Sequence, residues 1–173
     1  MRTPGYELRT FLISMAAFGV ILMGVLAMVP GSADLGGWAQ ARPQLDAGAL
    51  AGLSPAVQAH LLTALIALVA GPVQFVLPKG TRAHRVIGWI WVGAMFVTAV
   101  ASLFIRDLNA GGFSPIHIFS LMAFVSLPLG VWLARRGDVA SHRQCMIGLY
   151  IGLVIAGVLA AAPGRVLWDL LLG

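Results

Sequence analysis

Five apolar stretches, each long enough to cross a lipid bilayer, dominate the chain. They lie at about Phe11–Val29, Pro55–Leu77, Ala83–Phe104, Pro115–Ala134 and Val139–Ala161. A bilayer core holds no water for an exposed backbone N–H or C=O group, so a stretch of roughly 20 apolar residues crosses it as an α-helix. The sequence therefore predicts an all-α integral membrane protein, a helical bundle with five transmembrane helices.

The composition agrees with a protein whose surroundings are membrane lipid. Hydrophobic residues make up 60% of the 173 residues and charged residues only 10%, whereas a soluble domain is roughly one quarter charged. A net charge of +5 would suggest a nucleic-acid partner for a soluble protein. Here the cations fall in short loops between apolar stretches, so they indicate orientation and no nucleic-acid partner is expected.

The lysines and arginines divide unequally between the two sides of the predicted membrane. One side receives eight of them: Arg2, Arg9, Lys79, Arg82, Arg85, Arg135, Arg136 and Arg143. The other side receives Arg42, Arg106 and Arg165. Because short cytoplasmic loops carry the excess of Lys and Arg, we expect a cytoplasmic N-terminus and a periplasmic C-terminus in a bacterial inner membrane.

Residues 1–173 are predicted to form a single transmembrane domain. Residues 1–30 are interpreted as a retained, peripheral first helix, because the apolar run of about 19 residues exceeds the roughly 7–15 of a signal peptide. Residues 162–173, which include Trp168, are predicted to form a short interfacial tail.

Two segments of the chain, 54–104 and 114–161, follow the same order of residues. Each begins with Ser-Pro, reaches a histidine, carries a proline within its first helix, turns at a glycine and enters its second helix at His-Arg. The corresponding residues are Ser54 and Ser114, His60 and His117, Pro72 and Pro128, Gly80 and Gly137, and His84 and His142. We interpret the segments as repeat one and repeat two, tandem two-helix units that build a four-helix core. Ser54, Ser114 and Asp138 are the residues predicted to cap helices at their N-termini.

The repeat predicts that the four histidines form two layers. His60 and His117 lie near the outer ends of their helices, and His84 and His142 lie near the inner ends. Residues at helical spacing share a face with these histidines. They are Thr63, Gly71 and Gln74 with His60; Gly88, Trp91, Met95, Thr98 and Ser102 with His84; and Cys145, Gly152 and Ala156 with His142. We therefore expect the histidines to point into the bundle, beside small residues that leave room for a planar ligand.

The other ionisable residues narrow the chemistry of such a site. The acids lie in loops or at helix ends, which disfavours a proton-coupled transporter with an acid at mid-membrane and a Mg or Mn site. They are Glu7, Asp34, Asp46, Asp107, Asp138 and Asp169. Cys145 is the only cysteine, which excludes an intrachain disulfide and Cys-x-x-Cys-His attachment of haem. Imidazole suits haem iron, copper or zinc, and two histidines per layer suit the two axial positions of a haem better than four-coordinate zinc.

This arrangement resembles the transmembrane di-haem b-type cytochromes, the group that includes ascorbate-reducible cytochromes b and ferric-reductase-like proteins. The resemblance implies one or two haem b groups, held between His60 and His117 and between His84 and His142. Arg85 and Arg143, with Arg82 and Arg136, would then pair with propionates of the inner haem, although plain orientation signalling explains the same arginines equally well.

Two features depart from that cytochrome pattern. His84 and His142 lie at the mouths of their helices rather than a turn or more inside, and the first helix lies outside the four-helix core. The stretches RRGDVASHR and AHRVIG are also similar to a small bacterial family of multi-helix membrane proteins of unknown function.

The function expected from this resemblance is electron transfer within or across the membrane, with a quinone or another redox protein as partner. An iron with both axial positions filled favours electron transfer over oxygen chemistry. A second interpretation is a non-catalytic subunit of a larger membrane complex, or a small transporter, whose histidines are structural or sense pH. Copper handling is a third, and no catalytic residue is assigned.

Overall fold

The computed structural model describes residues 47–105 and 117–161, all of whose regular elements are helices. A short helix, α1 (Ala47–Gly52), precedes four long ones. These are α2 (Pro55–Val76), α3 (Arg82–Ser102), α4 (His117–Arg135) and α5 (Val139–Ala160). The four long helices are long and apolar enough to cross a membrane. The prediction of an all-helical membrane bundle is confirmed, and the ends of these helices agree with the predicted ends to within two residues.

Several predictions concern residues outside the described part of the chain. They are the first helix at 11–29, the Ser114–Pro115 start of repeat two, and the interfacial tail at 162–173. The division of the chain into repeats also stays a prediction. One structural feature agrees with it, because both short turns hold a glycine with positive φ, 78° at Gly80 and 77° at Gly137. Residues that have a side chain rarely adopt this left-handed backbone conformation, so each turn requires its glycine.

Three of the long helices, α2, α3 and α5, are preceded by a residue whose side chain accepts a hydrogen bond from a free backbone N–H group of the first turn. Ser54 Oγ accepts from the Val57 N–H at 3.4 Å, and Asp138 Oδ1 accepts from the Ser141 N–H at 3.1 Å. Both of these predicted caps are therefore confirmed. Thr81 caps α3 in the same way by accepting from the His84 N–H at 3.2 Å. A cap of this kind satisfies one of the four donors left open at a helix N-terminus.

The four long helices are arranged in a ring. Neighbours along the chain pack against each other, from α2 to α3, α3 to α4 and α4 to α5, and a smaller contact between α5 and α2 closes the ring. Helices α2 and α4 are therefore diagonal, as are α3 and α5. Helix α3 is the most enclosed, with six buried residues against two in α2.

The centre of the ring is apolar. Its core cluster comprises Ala67, Trp91, Ala94, Met95, Ala99, Ala123, Leu127 and Leu149. Many large apolar side chains, such as Leu62, Val69 and Val125, point outward and are more than 60% exposed. This pattern is expected where lipid surrounds the protein, because lipid tails solvate leucine and valine as well as a protein core does.

Candidate functional site

His60 and His117 bind neighbouring carbonyl groups at one end of α3. His60 Nδ1–H donates to the Thr98 carbonyl at 2.9 Å, and His117 Nε2–H donates to the Ser102 carbonyl at 3.0 Å. Thr98 and Ser102 lie one helical turn apart, so α3 gathers histidines from the two diagonal helices that flank it. His117 is buried.

Hydroxyl groups join the same helices at this level. Thr63 Oγ1 lies 2.8 Å from Thr98 Oγ1, and Ser102 Oγ lies within hydrogen-bond distance of Ser120 Oγ. We call the resulting cluster the His60 layer. It comprises His60, Thr63, Thr98, Ser102, His117 and Ser120. A polar cluster of this size in a lipid-facing bundle holds three helices in register through hydrogen bonds.

His84 and His142 lie together at the opposite end of the bundle. His142 Nδ1–H donates to the Gly130 carbonyl of α4 at 2.8 Å, and the Gln74 side-chain amide donates to the His84 carbonyl at 2.9 Å. We call Gln74, His84 and His142 the His84 layer.

Two ring nitrogen atoms of α3 are buried and have no hydrogen-bond partner among the described residues. They are His84 Nδ1 and Trp91 Nε1. An unpaired polar group is costly within a membrane, where water does not compensate for it. The His84 layer is thus the less satisfied of the two histidine layers, although His84 and His142 are themselves only half-buried.

The two layers are separated by the apolar core. On α3, about 14 residues separate His84 from Thr98, which corresponds to about 21 Å at 1.5 Å per residue. Met95 on α3 and Leu127 on α4 belong to the core cluster that fills the interval. The structure thus places His60 and His117 near one end of the bundle, and His84 and His142 near the other.

The predicted arginines lie at the end of the bundle that holds the His84 layer. Arg85 and Arg143 are exposed, each one residue beyond a histidine of that layer. Two neighbouring arginines stack on tryptophans: the Arg136 guanidinium lies 4.1 Å from the centre of the Trp132 ring, and that of Arg135 lies 5.9 Å from the centre of the Trp89 ring. Arginine and tryptophan of this kind are typical of a membrane–water interface.

The donor groups can be compared with those that haem requires. A metal-binding imidazole usually donates its other ring N–H to a carbonyl or carboxylate, as His60 and His142 do through Nδ1. Each layer supplies two histidines, and the described residues contain no group of three or more His, Cys, Asp or Glu arranged for a metal. Each layer therefore offers two imidazoles, the number that would hold one haem. His117 departs from this pattern because its Nε2, rather than its Nδ1, binds a carbonyl.

Two contributions to these layers were not expected from the sequence. Ser120 follows His117 by three positions, as Thr63 follows His60, so the repeat itself would have identified it. The carbonyl groups of Thr98, Ser102 and Gly130 carry no sequence signal, because every residue has a carbonyl and only the packing of helices selects one.

Comparison with known proteins gives one match. Residues 57–170 match a family model described as "Predicted membrane protein (DUF2306)", and the matched range includes most of α2 and all of α3, α4 and α5. No curated protein and no solved structure shows significant similarity to the chain.

Proposed function

This chain belongs to the DUF2306 family of predicted membrane proteins, and we propose that it holds haem b between paired histidines and transfers electrons through the membrane. His60 and His117 would hold one haem, and His84 and His142 would hold the other. The haem supplies one-electron oxidation and reduction, and the protein supplies its position, its ligands and its exclusion from water.

The observation that carries the proposal is the pairing of the histidines. All four histidines of the chain fall into two pairs near opposite ends of the bundle, and three of the four donate to a carbonyl on a neighbouring helix. Ionisable groups are rare within a membrane because burying them is costly, and they usually mark a functional site.

Hydrogen bonds to main-chain carbonyls would fix the orientation of the ligands. The bonds from His60 Nδ1–H to Thr98 and from His142 Nδ1–H to Gly130 leave Nε2 of each ring as the nitrogen that can bind iron. In the His84 layer, the unpartnered His84 Nδ1 is available to bind iron or to donate a hydrogen bond. Arg85 and Arg143 are the residues that would pair with haem propionates at that end.

The two layers differ in how directly they fit a haem. His117 Nε2–H is bound to the Ser102 carbonyl, so ligation in the His60 layer requires either a turn of that ring or ligation through Nδ1. In the His84 layer, the His142 ring donates through Nδ1, which leaves Nε2 as the nitrogen that would hold the iron.

The partners and the location follow from the same proposal. A membrane-embedded carrier exchanges electrons with a lipid-soluble quinone or with another redox protein, either alone or as a subunit of a larger membrane complex. The excess of arginine in the turns next to the His84 layer supports a location of that layer on the cytoplasmic side of a bacterial inner membrane. The His60 layer then faces the periplasm.

One observation favours a second candidate function. Three of the four histidines donate to a carbonyl on a neighbouring helix, which is also how a purely structural histidine would tie a bundle together. The alternative is therefore a non-catalytic membrane subunit in which the histidines hold helices in register.

The absorption spectrum of the purified protein distinguishes the two candidates. The protein is expressed with haem synthesis supplemented, purified in a mild detergent and measured before and after reduction with dithionite. We expect a Soret band and a sharp α-band on reduction, which are typical of low-spin haem with two histidine ligands. A folded, monodisperse preparation without haem absorption would contradict the proposal and support the structural alternative.

A further inference from the structure

Every lysine and arginine that the structure describes lies at the end of the bundle that holds the His84 layer. They are Lys79, Arg82, Arg85, Arg135, Arg136 and Arg143. Asp138 is the only acid among the described residues, and its Oδ1 accepts from the Ser141 N–H at the start of α5. This end of the bundle therefore carries a strong positive charge, which attracts anions at a membrane surface.

Two of these arginines lie over exposed tryptophan rings. The Arg136 guanidinium lies 4.1 Å from the centre of the Trp132 ring of α4, and the Arg135 guanidinium lies 5.9 Å from the centre of the Trp89 ring of α3. Trp89 is 56% exposed and Trp132 is 46% exposed. We call these four residues the arginine–tryptophan patch. Orientation in the membrane requires positive charge in the turns but no contact with aromatic rings, so it does not explain the patch.

An arginine that lies over a ring can still bind an anion. The contact uses the face of the guanidinium, whereas the N–H groups lie in its plane and point away from the ring. The ring also restricts the side chain, so less conformational entropy is lost when the N–H groups bind a partner. Arg135 and Arg136 are both exposed. The patch thus presents two sets of N–H donors of the kind that bind the oxygen atoms of a phosphate.

Toward the middle of the bundle, aromatic rings continue along the seam between α3 and α4. Phe96 follows Trp89 by two turns on α3 and is 50% exposed. Its ring meets the ring of Phe124 of α4 edge-on, with their centres 5.7 Å apart. Phe124 precedes Arg135 by three turns, so both lie on one face of α4. A partner that follows this seam from the patch therefore has an anionic group at one end and a hydrocarbon chain at the other.

We infer that the arginine–tryptophan patch binds the headgroup of an anionic phospholipid. The phosphate accepts hydrogen bonds from Arg135 and Arg136, and an acyl chain lies along the seam beside Phe96 and Phe124. A nucleic acid or an acidic protein matches the charge of the patch, but neither supplies a hydrocarbon chain for the seam. The inference does not rest on the proposed electron-transfer function, because lipid surrounds the bundle whether or not it holds haem.

The experiment compares Arg135→Gln with Arg143→Gln and the unchanged protein in a mild detergent. Native mass spectrometry measures the affinity for added phosphatidylglycerol, with phosphatidylcholine as the lipid without net charge. Each variant loses one exposed arginine at the same end of the bundle, but Arg143 lies on α5, outside the seam between α3 and α4. We expect R135Q to weaken phosphatidylglycerol binding about tenfold, the effect of a lost hydrogen bond between charged groups. R143Q should weaken it less than about twofold.

Trp89→Leu tests the ring separately from the charge, because it keeps every arginine and removes the ring below Arg135. We expect it to weaken phosphatidylglycerol binding about threefold, the effect of a cation–π contact at an exposed site. Arg136→Gln should act like R135Q, and the melting temperature of each variant checks its folding.

Equal weakening by R135Q and R143Q would overturn the inference, because a diffuse positive charge would then explain the binding. Equal affinity of the unchanged protein for the two lipids would also overturn it. The haem spectrum of the same samples separates this inference from the proposed function. Phosphatidylglycerol binding that depends on Arg135 in a protein without haem would sustain the inference and refute the haem proposal.

Discussion

At the scale of single residues, the protonated nitrogen of each histidine decides what that histidine can bind. His60 and His142 hold their proton at Nδ1, because that nitrogen faces a carbonyl, whereas His117 donates through Nε2. The lone pair of a neutral imidazole lies on the other nitrogen. No sequence pattern predicts this assignment, because the carbonyl that selects it belongs to a different helix.

Close approach between α2 and α5 gives a prediction at the same scale. A Cβ on Gly71 would overlap the ring of Tyr150, and that ring is held by an edge contact with Phe75 and by a hydrogen bond to the Leu68 carbonyl. We expect Gly71→Ala to lower the free energy of unfolding by about 1–3 kcal/mol, as overpacking does elsewhere.

The matched control is Gly93→Ala on α3, where nothing lies within 4 Å of the added carbon. Alanine is the better helix former by roughly 1 kcal/mol in soluble helices, so this change should be neutral or stabilising. Denaturant unfolding in mixed micelles measures both variants. Equal stability of the two would show that α2 and α5 do not approach as closely as described.

At the scale of helices, α3 organises the bundle. Near its C-terminal end, α3 forms hydrogen bonds with histidine and hydroxyl side chains of both α2 and α4. Its N-terminus is capped by Thr81. The repeat does not predict this asymmetry. The positions 14 and 18 residues beyond His84 are Thr98 and Ser102, whereas those beyond His142 are Ala156 and Ala160. Helix α5 therefore lacks the hydroxyls that α3 uses, and the two repeats contribute unequally to the His60 layer.

The hydroxyl pair between α3 and α4 predicts an energetic coupling. Replacing Ser102 and Ser120 by alanine, singly and together, should give a coupling free energy of about 0.5–1.5 kcal/mol, since hydrogen bonds between membrane helices contribute in this range. The readout is the free energy of unfolding in a double-mutant cycle.

A control cycle combines Ser120→Ala with Thr63→Val, because Thr63 pairs with Thr98 and not with Ser120. Its effects should add to within about 0.5 kcal/mol. Coupling of the same size in both cycles would mean that the Ser102–Ser120 contact does not act as a specific pair.

Much of the fold was predictable, and the reasons are physical. Membrane thickness fixes the length of a spanning helix, and the capping residues Ser54 and Asp138 fix two of the starts, so the helices could be placed from the sequence. The two layers of histidines followed from the repeated order of residues in the two segments. The ring nitrogens of His84 and Trp91 that lack a hydrogen-bond partner among the described residues could not be predicted. Whether a buried nitrogen finds a partner depends on which groups the neighbouring helices bring next to it.

At the scale of the whole molecule, the described chain is an apolar ring of four helices with a polar layer near each end. The layers are about 21 Å apart along α3 at 1.5 Å per residue, and an apolar core separates them. A bundle without a function across the membrane has no evident reason to hold its histidines in two separated pairs. This arrangement is the basis of the proposal that the protein carries electrons between the two sides.

The most direct test of this central claim is the haem content of four single variants, His60→Ala, His84→Ala, His117→Ala and His142→Ala. Haem per protein chain is measured by the pyridine haemochrome method, together with the melting temperature of each variant. We expect each single variant to lose one of the two haems. Combining His60→Ala with His117→Ala should cost no more haem than either change alone, whereas combining His60→Ala with His84→Ala should remove both haems. Additive haem loss in the first combination, or no haem in the unchanged protein, would contradict the two-layer account.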